Sequence, residues 1–231
     1  MAVNPAKVII GTPDKPCRSS FMFCRTLQEP SEEQKAKNPK ATATGSSAFL
    51  FSKKDKKMYK RVVAAIKAAG KKKFGDKFKF DLNSRKYTCA LRDGDELFED
   101  EEYSVGEEAK GMWFVSTKCY KVPQLVDRRG QRVLDPDDVE EKMSSGNYFL
   151  ASVTFKGFDN ESKGVRAEIS NLMHIKDGDR LDGSASAEQD FASYAKDDDE
   201  DFDDDDDDDD DDAPSRRSRK SSKKSSRRRR R

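Results

Sequence analysis

Residues 197–231 divide into two blocks of opposite charge: 197–212 carries 15 acidic side chains interrupted only by Phe202, and 216–231 carries 11 basic ones. With Phe202 as its only large apolar side chain, this segment has nothing to bury against the entropy of ordering, and it is expected to be a disordered polyelectrolyte. Whatever folds must therefore lie in residues 1–196. A polyaspartate run also matches a nucleic-acid backbone in charge density, so it can compete for a basic groove or dock on basic proteins.

The whole chain is close to neutral, with 46 Lys+Arg against 45 Asp+Glu. Taking away the 11 basic and 15 acidic residues of the tail leaves 35 and 30, so the body is mildly basic. Its length suits one domain, while 39% charged and 33% hydrophobic residues overall imply a small core and long solvated connections. No run approaches the roughly 18 apolar residues of a membrane span, and the N-terminus lacks a signal-peptide pattern, so a soluble intracellular protein is expected. Cys17, Cys24, Cys89 and Cys119 form no CxxC pair, which favours reduced thiols over a disulfide framework or zinc site.

The body reads mostly as strands. Val8–Gly11 and Phe21–Leu27 are short apolar runs separated by the turn-forming Thr12-Pro13-Asp14-Lys15-Pro16, and Ser47–Phe51 is another. Met58, Val62, Ala65, Ile66 and Ala69 then fall on one face at helical spacing, with Gly70 expected to close the helix. Met112–Tyr120, Asn147–Phe158 and Gly164–Lys176 are the longest strand candidates, with a helical turn near Asp137–Met143 between the first two. Five or six strands with one main helix and long loops suit a small elaborated β-barrel better than a parallel α/β sheet, which needs helices between most strands.

Leu91-Arg92-Asp93-Gly94-Asp95-Glu96-Leu97 and Ile175-Lys176-Asp177-Gly178-Asp179-Arg180-Leu181 echo each other. Paired carboxylates could hold a divalent metal for a nuclease, but neither cluster has the supporting His, Glu or Asp that completes such a site. The expected role is instead Asp-Gly at tight turns requiring positive φ. The sequence holds no GxxxxGK[ST], GxSxG, HExxH or GxGxxG, so neither an enzyme nor a cofactor is expected.

What remains is a basic body with aromatics among its basic residues, the composition of a single-strand binder, in which rings stack on bases and Lys/Arg follow phosphates. Along Met112–Lys121, one face presents Trp113, Val115, Thr117, Cys119 and Lys121, the other Met112, Phe114, Ser116, Lys118 and Tyr120. In the next strand Asn147, Phe149, Ala151, Val153 and Phe155 form the natural core face, leaving Lys156 and Phe158 to solvent or ligand. Lys71-Lys72-Lys73, like Lys53-Lys54 and Lys56-Lys57, reads as a solvated face that could steer phosphate.

Several ordered motifs carry a resemblance: Phe49-Leu50-Phe51-Ser52-Lys53 before a helix; Leu91-Arg92-Asp93-Gly94-Asp95; Phe114-Val115-Ser116-Thr117-Lys118-Cys119-Tyr120-Lys121-Val122-Pro123-Gln124-Leu125-Val126-Asp127; Ser145-Gly146; Lys163-Gly164-Val165; Asp177-Gly178-Asp179-Arg180-Leu181; and Ala187-Glu188-Gln189-Asp190-Phe191. Together, over residues 8–191, they make the chain similar to the acidic-tailed single-stranded DNA-binding proteins of tailed phages. The resemblance implies an OB-fold domain over 1–196 that coats single-stranded DNA without sequence preference during phage replication, recombination or repair. It implies no enzymatic activity, an acidic tail that contacts replication proteins such as a polymerase or helicase, compatibility with a homo-oligomer, and a site in the infected host's cytoplasm. It places Trp113, Lys118, Tyr120, Lys121, Lys156, Phe158 and Arg166 on the DNA surface.

The chain departs from that pattern at its end, where Ala213-Pro214 leads into a basic block, 215–231. As a free arm this block adds phosphate affinity; as a partner for the polyaspartate it releases the groove. With a Debye length of about 8 Å, both uses are expected across so short a spacer. The alternative is an acidic-tailed chaperone or architectural protein that binds basic partners through 197–212. Pull-down of basic proteins after removal of 197–231 separates the two, since only the chaperone must lose its binding.

Overall fold

The computed structural model describes residues 4–84, 86–100, 103, 105–160 and 162–181. The described residues all belong to one unit, residues 1–190; the second, 191–231, with both charged blocks, lies outside them. In chain order the described elements are β1 (Lys7–Ile10), β2 (Cys17–Ser20), α1 (Glu32–Lys37), β3 (Gly45–Ser52), α2 (Lys56–Phe74), β4 (Thr88–Cys89), β5 (Leu91–Asp93), α3 (Gly94–Glu99), β6 (Met112–Cys119), β7 (Gln124–Val126), α4 (Pro136–Lys142), β8 (Tyr148–Asp159) and β9 (Lys163–Lys176).

Alternation along β8 drives the architecture. Phe149, Ala151, Val153 and Phe155 are buried while their neighbours face outward, as period-two side chains on a one-sided sheet must. Antiparallel β2–β3 and β3–β6 pairs, a parallel β6–β9 pair and antiparallel β9–β8 and β8–β2 pairs close five strands into a barrel, so none of the five is left with a free edge along its whole length. This is the OB-fold-like barrel. β1 pairs with Ala151–Thr154 and β2 with Tyr148–Phe149, so the two form one interrupted strand on the same edge of β8. The interruption is the Thr12–Lys15 turn, entered at Gly11 with φ +89°.

α2 packs Met58, Val62, Ala65, Ile66 and Ala69 onto the core beside Phe49, Phe149 and Phe155. Asp55 caps its start by accepting a hydrogen bond from the Met58 amide at 2.9 Å. Gly70 does not end this helix. It is buried inside it, where a Cβ would stand 2.3 Å from the Phe78 ring, and the helix runs on to Gly75 at φ +64°. A small residue was needed for packing, and the sequence shows only the residue.

The strand expected at Phe21–Leu27 is instead Cys17–Ser20. Phe21 adopts φ +51°, unique among described non-glycine residues, and ends the ladder. Cys17-Arg18-Ser19-Ser20 carries no apolar alternation because hydroxyls do the work of apolar groups: buried Ser19 donates toward the carbonyls of Ser144 (2.9 Å) and Asn147 (3.0 Å).

Candidate nucleic-acid interface

β6 is the element that sorts the candidate residues. Trp113, Val115, Thr117 and Cys119 point inward, and Thr117 closes a buried hydroxyl pair with Ser47 at 2.7 Å. The other parity faces out, so Ser116, Lys118 and, just beyond the strand, Tyr120 are exposed. Parallel pairing places Lys118 beside Glu168 of β9, and antiparallel pairing places Lys156 of β8 opposite Arg166.

On this outer face two recesses of about 640 and 770 Å³ share Lys118, Phe158 and Arg166 and so form one continuous groove. Tyr120 stands in the second recess, 41% exposed, with the Arg166 guanidinium 5.5 Å from its ring centre. Arg166 in turn donates to Glu168 Oε1 at 3.0 and 2.9 Å, and Lys156 reaches Oε2 at 2.5 Å. Glu168, its side chain only 14% exposed, thus fixes two cations in place. Three cations against one carboxylate leave the patch positive, with aromatic rings between: the chemistry of stacking bases and holding phosphates.

The first recess is more apolar. Ala48, Leu50, Leu97, Ala109 and Phe114 form an outer-face cluster, with Phe21 packed edge-on to Phe114 at 6.3 Å. Arg92, opposite Phe114 in the β5–β6 register, lies 4.9 Å over the exposed Tyr103 ring. Phe21, Arg92 and Tyr103 are groove residues the sequence reading missed, as it missed Glu168, the acid that holds Lys156 and Arg166. Arg92 and Glu168 were accessible from strand parity; Phe21 was hidden by the misplaced strand.

Of the seven residues singled out from sequence, the structure brings Lys118, Tyr120, Phe158 and Arg166 together. Lys156 lies on the same outer face, bound to Glu168. Lys121 is exposed past the end of β6. Trp113 lies elsewhere: it stacks on Tyr59 of α2, with ring centres 4.6 Å apart at 26°, and Lys53 Nζ sits 5.3 Å over its ring.

Lys53 also accounts for one carboxylate pair, binding Asp93 and Asp95, the latter at 2.6 Å. Burial alone would lower the pKa of the Lys53 ammonium, but the hydrogen bonds it donates to the two carboxylates outweigh burial and hold it above the ordinary value. Lys53 and the Gly111 amide hold the Asp95 carboxyl below the carboxylate norm. Asp93 caps α3 as well. In the other pair, Asp179 contributes its carbonyl to Arg18 at 3.0 Å, and Asp177 lies 3.1 Å from His174 Nε2.

The positive φ expected at these glycines is absent. Gly94 opens a helix, where a Cβ would meet the Ala109 carbonyl at 2.3 Å, and at Gly178 a Cβ would meet the Gly146 carbonyl at 2.4 Å; close approach is what requires glycine. Among the described residues no group of three or more His, Cys, Asp or Glu could hold a metal. Burial pushes the Cys17 and Cys24 thiols up to about 12, which makes them poor nucleophiles and ligands.

A family model described as the single-stranded DNA-binding protein of Enterobacter phage Enc34 matches residues 7–203. The fold resembles the Enc34 single-stranded DNA-binding protein in complex with ssDNA (TM-score 0.58, 16% identity, covering 76% of this chain and 88% of that one). It also resembles gp2.5, a single-stranded DNA-binding protein encoded by bacteriophage T7 (TM-score 0.50, 12% identity, 83% and 97%). Protein p50 of Acyrthosiphon pisum secondary endosymbiont phage 1 is 29% identical over 144 residues, 60% of this chain and 72% of p50. Among the described residues no helix is long and apolar enough to cross a membrane.

Proposed function

Because the chain belongs to the family of the Enterobacter phage Enc34 single-stranded DNA-binding protein, we propose that it coats single-stranded DNA, without sequence preference, in phage replication, recombination or repair inside the infected cell. It does so by binding and not by catalysis. The observation that carries this reading is the meeting of Lys118, Tyr120, Phe158 and Arg166 in one groove on the barrel's outer face. Tyr120 and Phe158 stack on bases, each stack being worth about 1–3 kcal/mol, and Lys118 and Arg166 take phosphates. Lys121 and Lys156 flank this centre as further phosphate contacts, while Trp113 anchors α2 to the barrel.

Such a site reads no base edges. Its contacts are ring faces and point charges, which every base and every phosphate satisfies, so discrimination between sequences is weak and salt dependence is strong. The tail acts on the same electrostatics. Polyaspartate competes with DNA for positive charge, the arginine-rich block competes for both, and the acidic run remains available to replication proteins.

Fluorescence anisotropy with labelled oligo-dT, oligo-rU and duplex DNA at two salt concentrations tests this reading with three chains: full-length, 1–214 and 1–196. Full-length protein binds oligo-dT more tightly than duplex, and log affinity falls with log salt. Removing 215–231 alone weakens binding, most at low salt, and removing all of 197–231 restores it at least to the full-length level. Equal affinity for duplex and oligo-dT would sink single-strand binding; equal affinity of the three chains at low salt would remove the tail from the account.

A further inference from the structure

Beside the groove lies a second basic surface that the reading above leaves unused. α2 carries Lys56, Lys57, Lys60, Arg61, Lys67, Lys71, Lys72 and Lys73 and no carboxylate. Among the described residues none of these eight cations is in an ion pair; Lys67 alone has a partner, lying 5.9 Å over the Phe80 ring. At the C-terminal end of this helix, a recess of about 600 Å³ is lined, among the described residues, by Phe74, Lys77, Lys86, Tyr87, Thr88, Ser162 and Lys163, three lysines and no acid. Its wall is aromatic: Phe74 and Tyr87 lie 4.9 Å apart, with Lys86 Nζ 5.4 Å from the Tyr87 ring centre.

This recess shares Ser162 with the Tyr120 recess and Thr88 with the Phe114 recess, so it opens directly off the groove. Gly164 lets β4 close on the β8–β9 hairpin there, since a Cβ would meet the Thr88 carbonyl at 2.3 Å. The other exit from Thr88 leads to a recess of about 290 Å³ holding Asp93, Glu96 and Asp100. A polyanion leaving the groove therefore meets, among the described lining residues, three carboxylates and Arg92 one way and three lysines the other. Lys163 is itself only part-neutralised, by an exposed pair with Asp159 at 3.3 Å.

We infer that this surface is a second phosphate-binding site: the same single strand leaves the groove past Phe158, crosses the β8–β9 hairpin and continues along Lys163, Lys86 and Lys77 to the last turn of α2. The inference rests on the groove binding single-stranded DNA, and it sets the direction and length of the bound segment. Short oligonucleotides fill the groove alone; longer ones add the lysine track.

The test uses full-length protein, oligo-dT of about 8 and about 25 nucleotides, lengths spanning the roughly 4–16 nucleotides one OB fold covers, and anisotropy across a salt series. In the variant K77A/K86A/K163A, affinity for the long oligonucleotide falls at least about tenfold at low salt, and its salt slope drops by about 2, at about 0.7 per lost single-strand phosphate contact; the short one stays within about twofold. K71A/K72A, on the exposed last turn of α2, lowers the long-oligonucleotide slope by about 1.4 through an independent pair of residues. An unchanged slope for the long oligonucleotide overturns the inference, as do equal losses at both lengths, which would place these lysines in the groove's own field. Loss of binding to an oligo-aspartate peptide with DNA binding intact would overturn it in favour of an acidic protein partner. If wild-type protein binds neither oligonucleotide, the groove reading itself falls, and the track with it.

Discussion

Replacing Tyr120 and Phe158 together with alanine is expected to weaken binding of a short oligo-dT by about 2–6 kcal/mol, from two stacks of about 1–3 kcal/mol each. The fold should survive, because Tyr120 is exposed and Phe158 is absent from both apolar clusters. The single variants should sum to more than the double if both rings hold one continuous strand, since losing either stack loosens the other and the double variant counts that coupling only once. Isothermal titration or anisotropy at fixed salt, alongside a melting curve, checks this directly. A double variant with wild-type affinity would empty the groove of its central role.

The second large effect is on stability. Trp113→Ala is expected to cost about 3 kcal/mol, the low end for a large aromatic that is only partly buried, and to lower the melting temperature by about 6–12 °C. It removes the ring that stacks on Tyr59 and leaves the Lys53 ammonium without its π-face. Affinity of the folded fraction for oligo-dT should change little. A thermally unaltered variant that binds DNA tenfold more weakly would return Trp113 to the DNA surface.

Strand parity explains what could be read from the chain. Phe149, Ala151, Val153 and Phe155 announced the barrel interior because their alternation is uninterrupted across the inner face of one long strand. The same parity separates Trp113 from Lys118 and Tyr120 on β6, so these residues could not share a face, although composition and resemblance grouped them. Barrel closure was not legible in detail. It depends on Thr117 and Lys118 pairing in parallel with Ala167 and Glu168, a contact about fifty residues distant with no local signal.

Local chemistry misled where a residue type served a purpose its usual statistics hide. Gly70 accommodates the Phe78 ring and does not terminate α2. Buried Ser19 and Ser20 sit in a strand where the Ser19 hydroxyl is satisfied by the Ser144 and Asn147 carbonyls, so no apolar pattern marks it. Asp93 and Asp95 were expected only to flank a tight turn and are instead the counter-charges of Lys53, about forty residues away. Glu168 escaped notice for the opposite reason: an acid within a proposed phosphate surface looks contrary to function until its pairing with Arg166 and Lys156 shows it holding both cations in place.

The central claim is that bases stack in the groove between Tyr120 and Phe158. Photocross-linking settles it most directly: an oligonucleotide of about 8 nucleotides carrying 5-bromodeoxyuridine, irradiated on full-length protein, with the adducts mapped by peptide mass spectrometry. The account predicts adducts on Tyr120 and Phe158. Adducts confined to Trp113 or Tyr59, with the groove unmodified, would contradict it.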